Sequence, residues 1–287
     1  MTSREATWLL TGVLLAAAAL RLTAARGGLW LDEIWSLELA REVSNPMQIL
    51  THLRIDNNHP LNTLVLWTIG MNAADFVYRL PVVALSTAAV ALGWQWNRSR
   101  SVPAGAVTAG VLAISFPMIV YGSEARGYGY AAFFLLACLV CLERISKSPL
   151  FRVSYVVSAA GGILSHPTFL PALGAMMLWT IAKDGDRRAW LLTHAVPVSL
   201  AGLFWFVFVR PLNFGGSSSA PLVELAIETL SLPLGVSADQ KLATLAAVAS
   251  AGLTVAAIGA LIWRGDRRWV LYLHGIIVFP LAAAAMQ

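Results

Sequence analysis

Long apolar runs constrain this chain more than any other feature of its sequence. A helix needs about 20 apolar residues to cross a bilayer, where its backbone polar groups must be satisfied within the segment. The first such run, WLLTGVLLAAAAL, begins at Trp8. Only 12% of the residues are charged and the mean hydropathy is +0.70, whereas a soluble domain carries about 25% charged residues. The sequence therefore predicts an all-α polytopic membrane protein.

Nine segments are apolar enough to be predicted as membrane spans. They cover approximately residues 7–25, 79–97, 103–121, 127–144, 152–165, 168–183, 189–209, 242–263 and 269–286. The run PLNTLVLWTIGM, at 60–71, is too short to cross and is predicted to lie on the membrane surface or to re-enter. We expect residues 1–287 to form one transmembrane domain, with outer loops at 26–78 and 210–241.

Lysine and arginine residues set the predicted orientation. With nine spans, the N-terminus and the links NRSRSV, ERISKSPLFR, KDGDRR and WRGDRR all fall on one side, which carries 12 of the 20 basic residues and 5 of the 15 acidic ones. That side has a balance of +7 and the other side −2, so the positive side is predicted to be cytoplasmic. The pI of 9.6 is therefore interpreted as a topology signal, and no nucleic-acid partner is expected.

Two segments outside the spans are predicted to form surface-lying helices. In DEIWSLELAREV, apolar residues at Ile34 and Leu37, and less regularly at Leu39, Ala40 and Val43, indicate an amphipathic helix in the first outer loop. The second outer loop contains PLVELAIETLSL, which indicates another.

Unusual polar residues gather at the outer ends of the predicted spans. They are Asp32, Glu33, Arg54, Asp56, His59, Arg79, Glu124, Arg126, Tyr128 and His166. Ionisable residues at membrane depth are costly and mark functional sites by default. Two of these residues have equally plain structural interpretations, since His166 before Pro167 can satisfy backbone groups at a broken helix end and Tyr128 can anchor the chain at the interface. Convergence of four separate segments still predicts a site on the outer face.

Asp32 is the strongest candidate for chemistry. A carboxylate flanked by Trp30, Leu31, Ile34 and Trp35 is easily desolvated, which suits a general base. Consecutive residues on a helix point about 100° apart. We therefore expect that Asp32 and Glu33 do not both face one reacting atom.

Five stretches of the chain form a familiar series in this order. They are LWLDEIWSLELA, NNHPL, DFVYRLPVVALSTAAVAL, PMIVYGSEARGYGY and LSHPTFLPAL. Together they resemble the membrane glycosyltransferases of family 39 and their bacterial relatives, which include protein O-mannosyltransferases and the aminoarabinose transferase acting on lipid A. The resemblance covers about residues 8–180. The family usually has His-Pro-Pro where this chain has His59-Pro60-Leu61, and many members are longer, so a C-terminal part of the family pattern is expected to be missing here.

The resemblance implies a GT-C fold and an inverting transfer of sugar from a polyprenyl-phosphate donor on the outer face of a bacterial plasma membrane. The first acidic residue of the family's pair is the catalytic base, which corresponds to Asp32, and Glu33 beside it is the second catalytic candidate. The acceptor is a hydroxyl on a lipid, a glycan or a protein.

The remaining candidates receive roles from the chemistry of that reaction. A phosphate leaving group needs positive charge, so the donor is expected to bind Arg79, Arg126, Tyr128 and Arg54. The residues left to hold the acceptor or a divalent cation are Asp56, His59, Glu124 and His166. Oxygen ligands suit magnesium or manganese, and added imidazole suits zinc.

Two other functions use the same polar residues. One is a transporter or flippase of lipid-linked sugars, which would be expected to show repeat symmetry and broken helices in matching positions of two halves; neither is detected in the sequence. The other is an inactive partner subunit, for which the short length is an argument. Both remain alternatives at the level of sequence.

Overall fold

The computed structural model describes residues 2–213, 221–236 and 240–274, and over these ranges the chain is helical. The helices are α1 (Ser3–Ala24), α2 (Leu31–Glu42), α3 (Pro46–Thr51), α4 (Pro60–Ile69), α5 (Asp75–Arg98), α6 (Val102–Ile114), α7 (Phe116–Val120), α8 (Gly127–Glu143), α9 (Pro149–Ser165), α10 (Phe169–Asp184), α11 (Arg187–Phe204), α12 (Leu222–Ser231), α13 (Gln240–Trp263) and α14 (Arg268–Tyr272). A π-helical turn, Trp205–Val209, follows α11, and a 3₁₀ turn, Leu232–Leu234, follows α12. One isolated parallel bridge pairs Ile55 with Asn213.

Four of the described helices are long and apolar enough to cross a membrane, and each coincides with a predicted span. They are Ser3–Ala24, Asp75–Arg98, Arg187–Val209 and Gln240–Trp263. Four more predicted spans correspond to the shorter apolar helices α6, α8, α9 and α10. The ninth, at 269–286, begins in α14, and most of it lies outside the described residues. The all-helical class is confirmed, and the number of nine spans stays a prediction.

The predicted span at 103–121 is broken, because α6 ends at Ile114 and α7 begins at Phe116. Pro117 lacks the N–H that would bond the carbonyl of Ala113 four residues earlier. The side chain of Arg21, which is fully buried, reaches this break from α1 and donates to the carbonyl of Ala113 at 3.3 Å and to that of Leu112 at 3.1 Å. The guanidinium therefore satisfies the carbonyl end of α6, where the helix dipole favours a cation.

Contacts between helices divide the chain into two compact units. The first contains Met1–Phe169 and Val196–Gly215. Within it, α5 packs against α1, α6 and α8, and α8 packs against α9. Small buried residues line the contact of α1, α5 and α6, including Ala17, Ala109 and Ala113, which lets apolar helices approach closely.

The second unit contains Leu170–Ala195 and Gly216–Gln287. Within it, α12 packs against α13, and the indole N–H of Trp190 donates to the carbonyl of Met177 at 2.8 Å. The helix predicted in the second outer loop is present as α12. The single transmembrane domain stays a prediction.

The helix predicted from DEIWSLELAREV is present as α2, but one of its apolar residues points the other way. Leu39, Ala40 and Val43 are buried as the pattern indicates, whereas Ile34 is 43% exposed. The reason is that Glu33 and Ser36 take inward positions in the first turns, both 1% exposed. Helix α2 therefore buries polar groups at its start and apolar groups at its end.

Candidate functional site

Arg126, the residue just before α8, is the centre of the candidate site. Its NH1 group lies 2.8 Å from Oδ2 of Asp32, and its NH2 group donates to Oδ1 of Asn57 at 3.1 Å. The guanidinium also lies 5.3 Å from the ring centre of Trp30 and 5.0 Å from that of Tyr128. Aromatic faces attract a guanidinium and keep it in place. Three segments of the chain thus meet on one cation.

Asp32 and Glu33 face different arginines, as the helix geometry leads us to expect. The side chain of Asp32 is 29% exposed and pairs with Arg126. The side chain of Glu33 is fully buried and forms an ion pair with Arg79. Glu33 also accepts hydrogen bonds from the backbone N–H groups of Ala125 at 2.7 Å and Trp30 at 3.1 Å. Of the two carboxylates, Asp32 has the accessibility that a reacting group needs.

Arg79, predicted as a phosphate ligand, uses all five of its N–H groups within the protein. Its Nε and NH2 groups donate to the carboxylate of Glu33. The other three N–H groups donate to the carbonyls of Ala25, Gly27 and Gly28 at 2.9–3.0 Å. This geometry favours a role in holding Glu33 and the segment between α1 and α2 over direct contact with phosphate.

Two histidines and two tyrosines pack beside Arg126. The ring of Tyr128 lies 4.4 Å from that of His166, 4.8 Å from that of Tyr121 and 5.4 Å from that of His59, measured between centroids. His59 and His166 are 4.7 Å apart. The sequence did not single out Tyr121, since an aromatic residue at the end of a span also fits an interface anchor.

Both histidines are neutral at physiological pH. Burial, with His166 and Arg126 nearby, holds the pKa of His59 well below 6.5. Burial, with Arg126 nearby, lowers the pKa of His166 to about 4. Nδ1 of His59 accepts from the N–H of Gly127 at 3.1 Å, and Nδ1 of His166 accepts from the N–H of Thr168 at 3.1 Å. Each neutral ring therefore carries its proton on Nε2, where it serves as a hydrogen-bond donor.

The glycines of RGYGY provide close helix packing. A Cβ on Gly127 would clash with the carbonyl oxygen of Ser165 and lie 2.9 Å from Cβ of His59. A Cβ on Gly129 would clash with the side chain of Val82. The start of α8 therefore touches the ends of two other segments, and this contact places Arg126 and Tyr128 beside His59.

Asn57, in the stretch NNHPL, is a candidate site residue that the sequence pattern did not predict. Its amide accepts from Arg126 and donates to the carbonyl of Asp32 at 2.9 Å and to Oγ of Ser36 at 3.2 Å. The side chain is buried, with the residue 7% exposed. The signal available in the sequence was an amide two residues before the candidate His59.

Glu124 lies in the turn before α8 with a partly buried carboxyl group. Its Oε2 atom is buried and has no hydrogen-bond partner within the described part of the chain. Burial raises the pKa of Glu124 to about 7; nearby Arg126 and Arg79 lower it, and Glu33 and Asp32 raise it. Glu124 therefore exchanges a proton in the physiological range.

The pKa of Glu124 predicts a pH-dependent contribution to stability. From pH 4.5, the ordinary pKa, to about 7, the folded state holds a proton on Glu124 that the unfolded chain has released. Its contribution to the free energy of unfolding therefore falls as pH rises through this window. The thermal unfolding midpoints of Glu124→Gln and wild type are measured in detergent. The midpoint of the variant should rise relative to that of wild type as pH increases from about 5 to about 8.

Comparison with the variant is needed because the histidines act in the opposite direction. His59 and His166 are neutral in the folded state and protonated in the unfolded chain below pH 6.5, so their contributions rise with pH. Glu42→Gln controls for the loss of an exposed carboxylate. A difference between Glu124→Gln and wild type that stays constant across the range would contradict the assignment.

The side chain of Arg54 and the backbone of Asp56 both contact the segment that follows α11 in the first unit. NH1 of Arg54 donates to the carbonyl of Val207 at 2.6 Å, and the N–H of Asp56 donates to the carbonyl of Asn213 at 3.3 Å. Arg54 is therefore not among the groups that surround Arg126.

An apolar cavity of about 400 Å³ lies in the first unit. It is lined by Met47, Leu50, Thr51, Ala160, Ile163, Leu164, Leu200, Leu203, Phe204, Val207 and Phe208. Leu164 lies two residues before His166, whose ring packs on Tyr128. The end of α9 therefore links the cavity lining to the polar site.

The candidate metal ligands do not form a ready ligand set. Within the described ranges, no group of three or more His, Cys, Asp or Glu side chains is placed to hold a metal ion. Nδ1 of both His59 and His166 is occupied by backbone N–H donors. The divalent cation stays a prediction.

No family model, no curated protein and no solved structure matches this chain. The functional conclusion therefore depends on the geometry of the site and on the motifs of the sequence.

Proposed function

We propose that this chain is an inverting glycosyltransferase of the GT-C type, with about nine spans in a bacterial plasma membrane. It moves a sugar from a polyprenyl-phosphate donor to a hydroxyl of a lipid, glycan or protein on the extracytoplasmic face. The observation that carries the proposal is the pair of Asp32 and Arg126, held between aromatic rings at the ends of apolar helices. A partly exposed carboxylate beside a cation supplies both a base and a phosphate ligand.

Asp32 acts as the base. The acceptor oxygen attacks the anomeric carbon of the sugar, and its proton passes to the Asp32 carboxylate. The bond between the anomeric carbon and the phosphate oxygen breaks, and its electron pair leaves with the phosphate. Attack on the face opposite the leaving group inverts the anomeric centre.

Arg126 stabilises the charge that develops on the leaving phosphate. Arginine presents N–H groups that match phosphate oxygens. The attraction between a preorganised cation and the phosphate becomes stronger as water is excluded. Tyr128 provides an aromatic surface beside it, and the Nε2 protons of His59 and His166 are donors for sugar hydroxyls.

Glu33 and Arg79 position the site. Their buried ion pair joins the start of α2 to α5, and the bond from Ala125 to Glu33 fixes the turn before Arg126. Both residues therefore act through their neighbours, and Arg54 is outside the proposed machinery.

The apolar cavity lined by α3, α9, α11 and the π turn is proposed to hold part of the donor's isoprenoid chain. Its lining is apolar apart from Thr51, as a prenyl chain requires. A donor with its chain there would bring its phosphate to the outer end of α9, near His166.

The proposal requires the first outer loop to face away from the cytoplasm. A cysteine introduced at the exposed Asn72 should react with a membrane-impermeant thiol reagent in intact cells, and one at the exposed Ser146 only after the membrane is opened. The charge asymmetry gives the reason. The two native cysteines, Cys138 and Cys141, are buried and should give little background. Labelling in the reverse order would overturn the topology and the site assignment with it.

Release of free polyprenyl phosphate tests the reaction itself. The purified protein, mixed with the lipid-linked sugar and an acceptor, should release polyprenyl phosphate in step with the glycosylated product. A transporter or an inactive partner subunit would release no polyprenyl phosphate. Absence of release would therefore favour one of those two alternatives.

A further inference from the structure

The amide of Asn57 connects the proposed base to the proposed phosphate ligand. Its oxygen accepts from NH2 of Arg126 at 3.1 Å, and its nitrogen donates to the backbone carbonyl of Asp32 at 2.9 Å. The hydroxyl of Ser36 donates to the same carbonyl at 2.8 Å. The main chain at Asp32 is therefore held by two donors, neither of which bonds its carboxylate.

The guanidinium of Arg126 is held by four groups, and only one of them bears a charge. Trp30 and Tyr128 lie near it at 5.3 and 5.0 Å, Asn57 binds NH2, and Asp32 binds NH1. If Asp32 moves away, the rings and the amide still hold Arg126. The carboxylate is the replaceable partner, because its side chain is 29% exposed.

We infer that Asn57 is a positioning residue that keeps Arg126 in place while the Asp32 carboxylate and the donor phosphate exchange on it. The phosphate takes the N–H that Asp32 releases, and Asp32 becomes available as a base only when a donor is bound. This inference rests on the proposed function.

The neutrality of Asn57 is what the exchange needs. An amide oxygen gives the guanidinium direction without neutralising its charge, so Arg126 keeps its attraction for phosphate. A carboxylate at the same position would form a second ion pair with Arg126 and compete with the incoming anion. A side chain without polar atoms would let the guanidinium follow Asp32.

The test compares binding of two probes by the full chain in detergent: a polyprenyl monophosphate and the corresponding uncharged polyprenol. Wild type should prefer the phosphate, and Asn57→Ala should lower this preference roughly tenfold, the effect of losing one hydrogen bond to a charged group. Asn58→Ala is the matched control. Asn58 is also buried, but its amide bonds to the carbonyls of Ile49 and Leu53 and to Thr63.

A purely structural role would make the two alanine variants alike. Both lose buried hydrogen bonds and should unfold at lower temperature, but Asn58→Ala should keep the wild-type preference for phosphate. Equal preferences in Asn57→Ala and wild type, or equal losses in both variants, would overturn the inference.

Asn57→Asp keeps the shape of the side chain and serves if the alanine variant does not fold. It should lower the preference for the phosphate by more than tenfold, because it adds a competing negative charge beside Arg126; an unchanged preference would overturn the inference. If wild type itself shows no preference for the phosphate, the proposed function fails as well. If wild type prefers the phosphate and Asn57→Asp shows the same preference as wild type, only the inference fails.

Discussion

Replacement of Asp32 by asparagine should lower sugar transfer by about 10²–10⁴-fold, the usual contribution of a positioned base. The amide keeps the shape of the side chain but accepts no proton from the acceptor. Donor lipid should bind at least as tightly as in wild type, because the variant frees NH1 of Arg126 from its carboxylate partner. Turnover and donor affinity, measured on the same preparation, separate these two effects.

Glu38→Gln is the control for this experiment, since Glu38 is an exposed residue of the same helix that pairs with Arg41 at 3.1 Å. It should leave transfer near the wild-type rate. Near-normal turnover in Asp32→Asn would remove Asp32 as the base and make Asp56 the next candidate.

Glu33→Gln should destabilise the folded protein by about 3–5 kcal/mol, the usual cost of removing one partner of a buried ion pair. The side chain of Glu33 is fully buried and that of Arg79 is 6% exposed. Without the Glu33 carboxylate, the guanidinium stays buried among backbone carbonyls and loses its hydrogen-bonded counter-ion. Denaturation in detergent, followed by the tryptophan fluorescence of the folded chain, measures the change.

The same Glu38→Gln variant is the matched control, because it removes a glutamate from an ion pair on the surface. The side chains of Glu38 and Arg41 are 49% and 56% exposed, and such pairs contribute about 0–1 kcal/mol. Equal stability of Glu33→Gln and Glu38→Gln would show that the buried pair does not hold the site together.

Apolar length predicted the helices well because lipid leaves a spanning chain no other way to satisfy its backbone. Apolar length did not predict the break between α6 and α7. Pro117 was visible in the sequence, but a proline within a span is tolerated when another group satisfies the freed carbonyl. Here that group is Arg21, which lies 92 residues before Ala113 in the sequence, so the pairing depends on the packing of α1 against α6.

The clustering of several candidate residues was predictable, and their pairings were not. Ionisable residues are costly at membrane depth, and this cost was the reason to choose Asp32, Arg126, His59 and His166 from the sequence. In the structure these four residues lie close together. The partner of each carboxylate depends on which helix face meets which neighbour, and the sequence does not give this. Arg79 was therefore predicted to bind phosphate, whereas in the structure it binds Glu33 and backbone carbonyls. Asn57 was overlooked because an amide has no charge to make its burial costly, although its hydrogen bonds orient Arg126.

The lipids that co-purify with wild type and with Asp32→Asn, identified by mass spectrometry, test the central claim most directly. If Asp32 is the base of a transfer from polyprenyl phosphate, the variant should retain intact polyprenyl-phosphate-linked sugar. Wild type incubated with acceptor should carry free polyprenyl phosphate instead. Absence of polyprenyl-phosphate lipids from both proteins, or the same ratio of intact to free lipid on both, would contradict the claim.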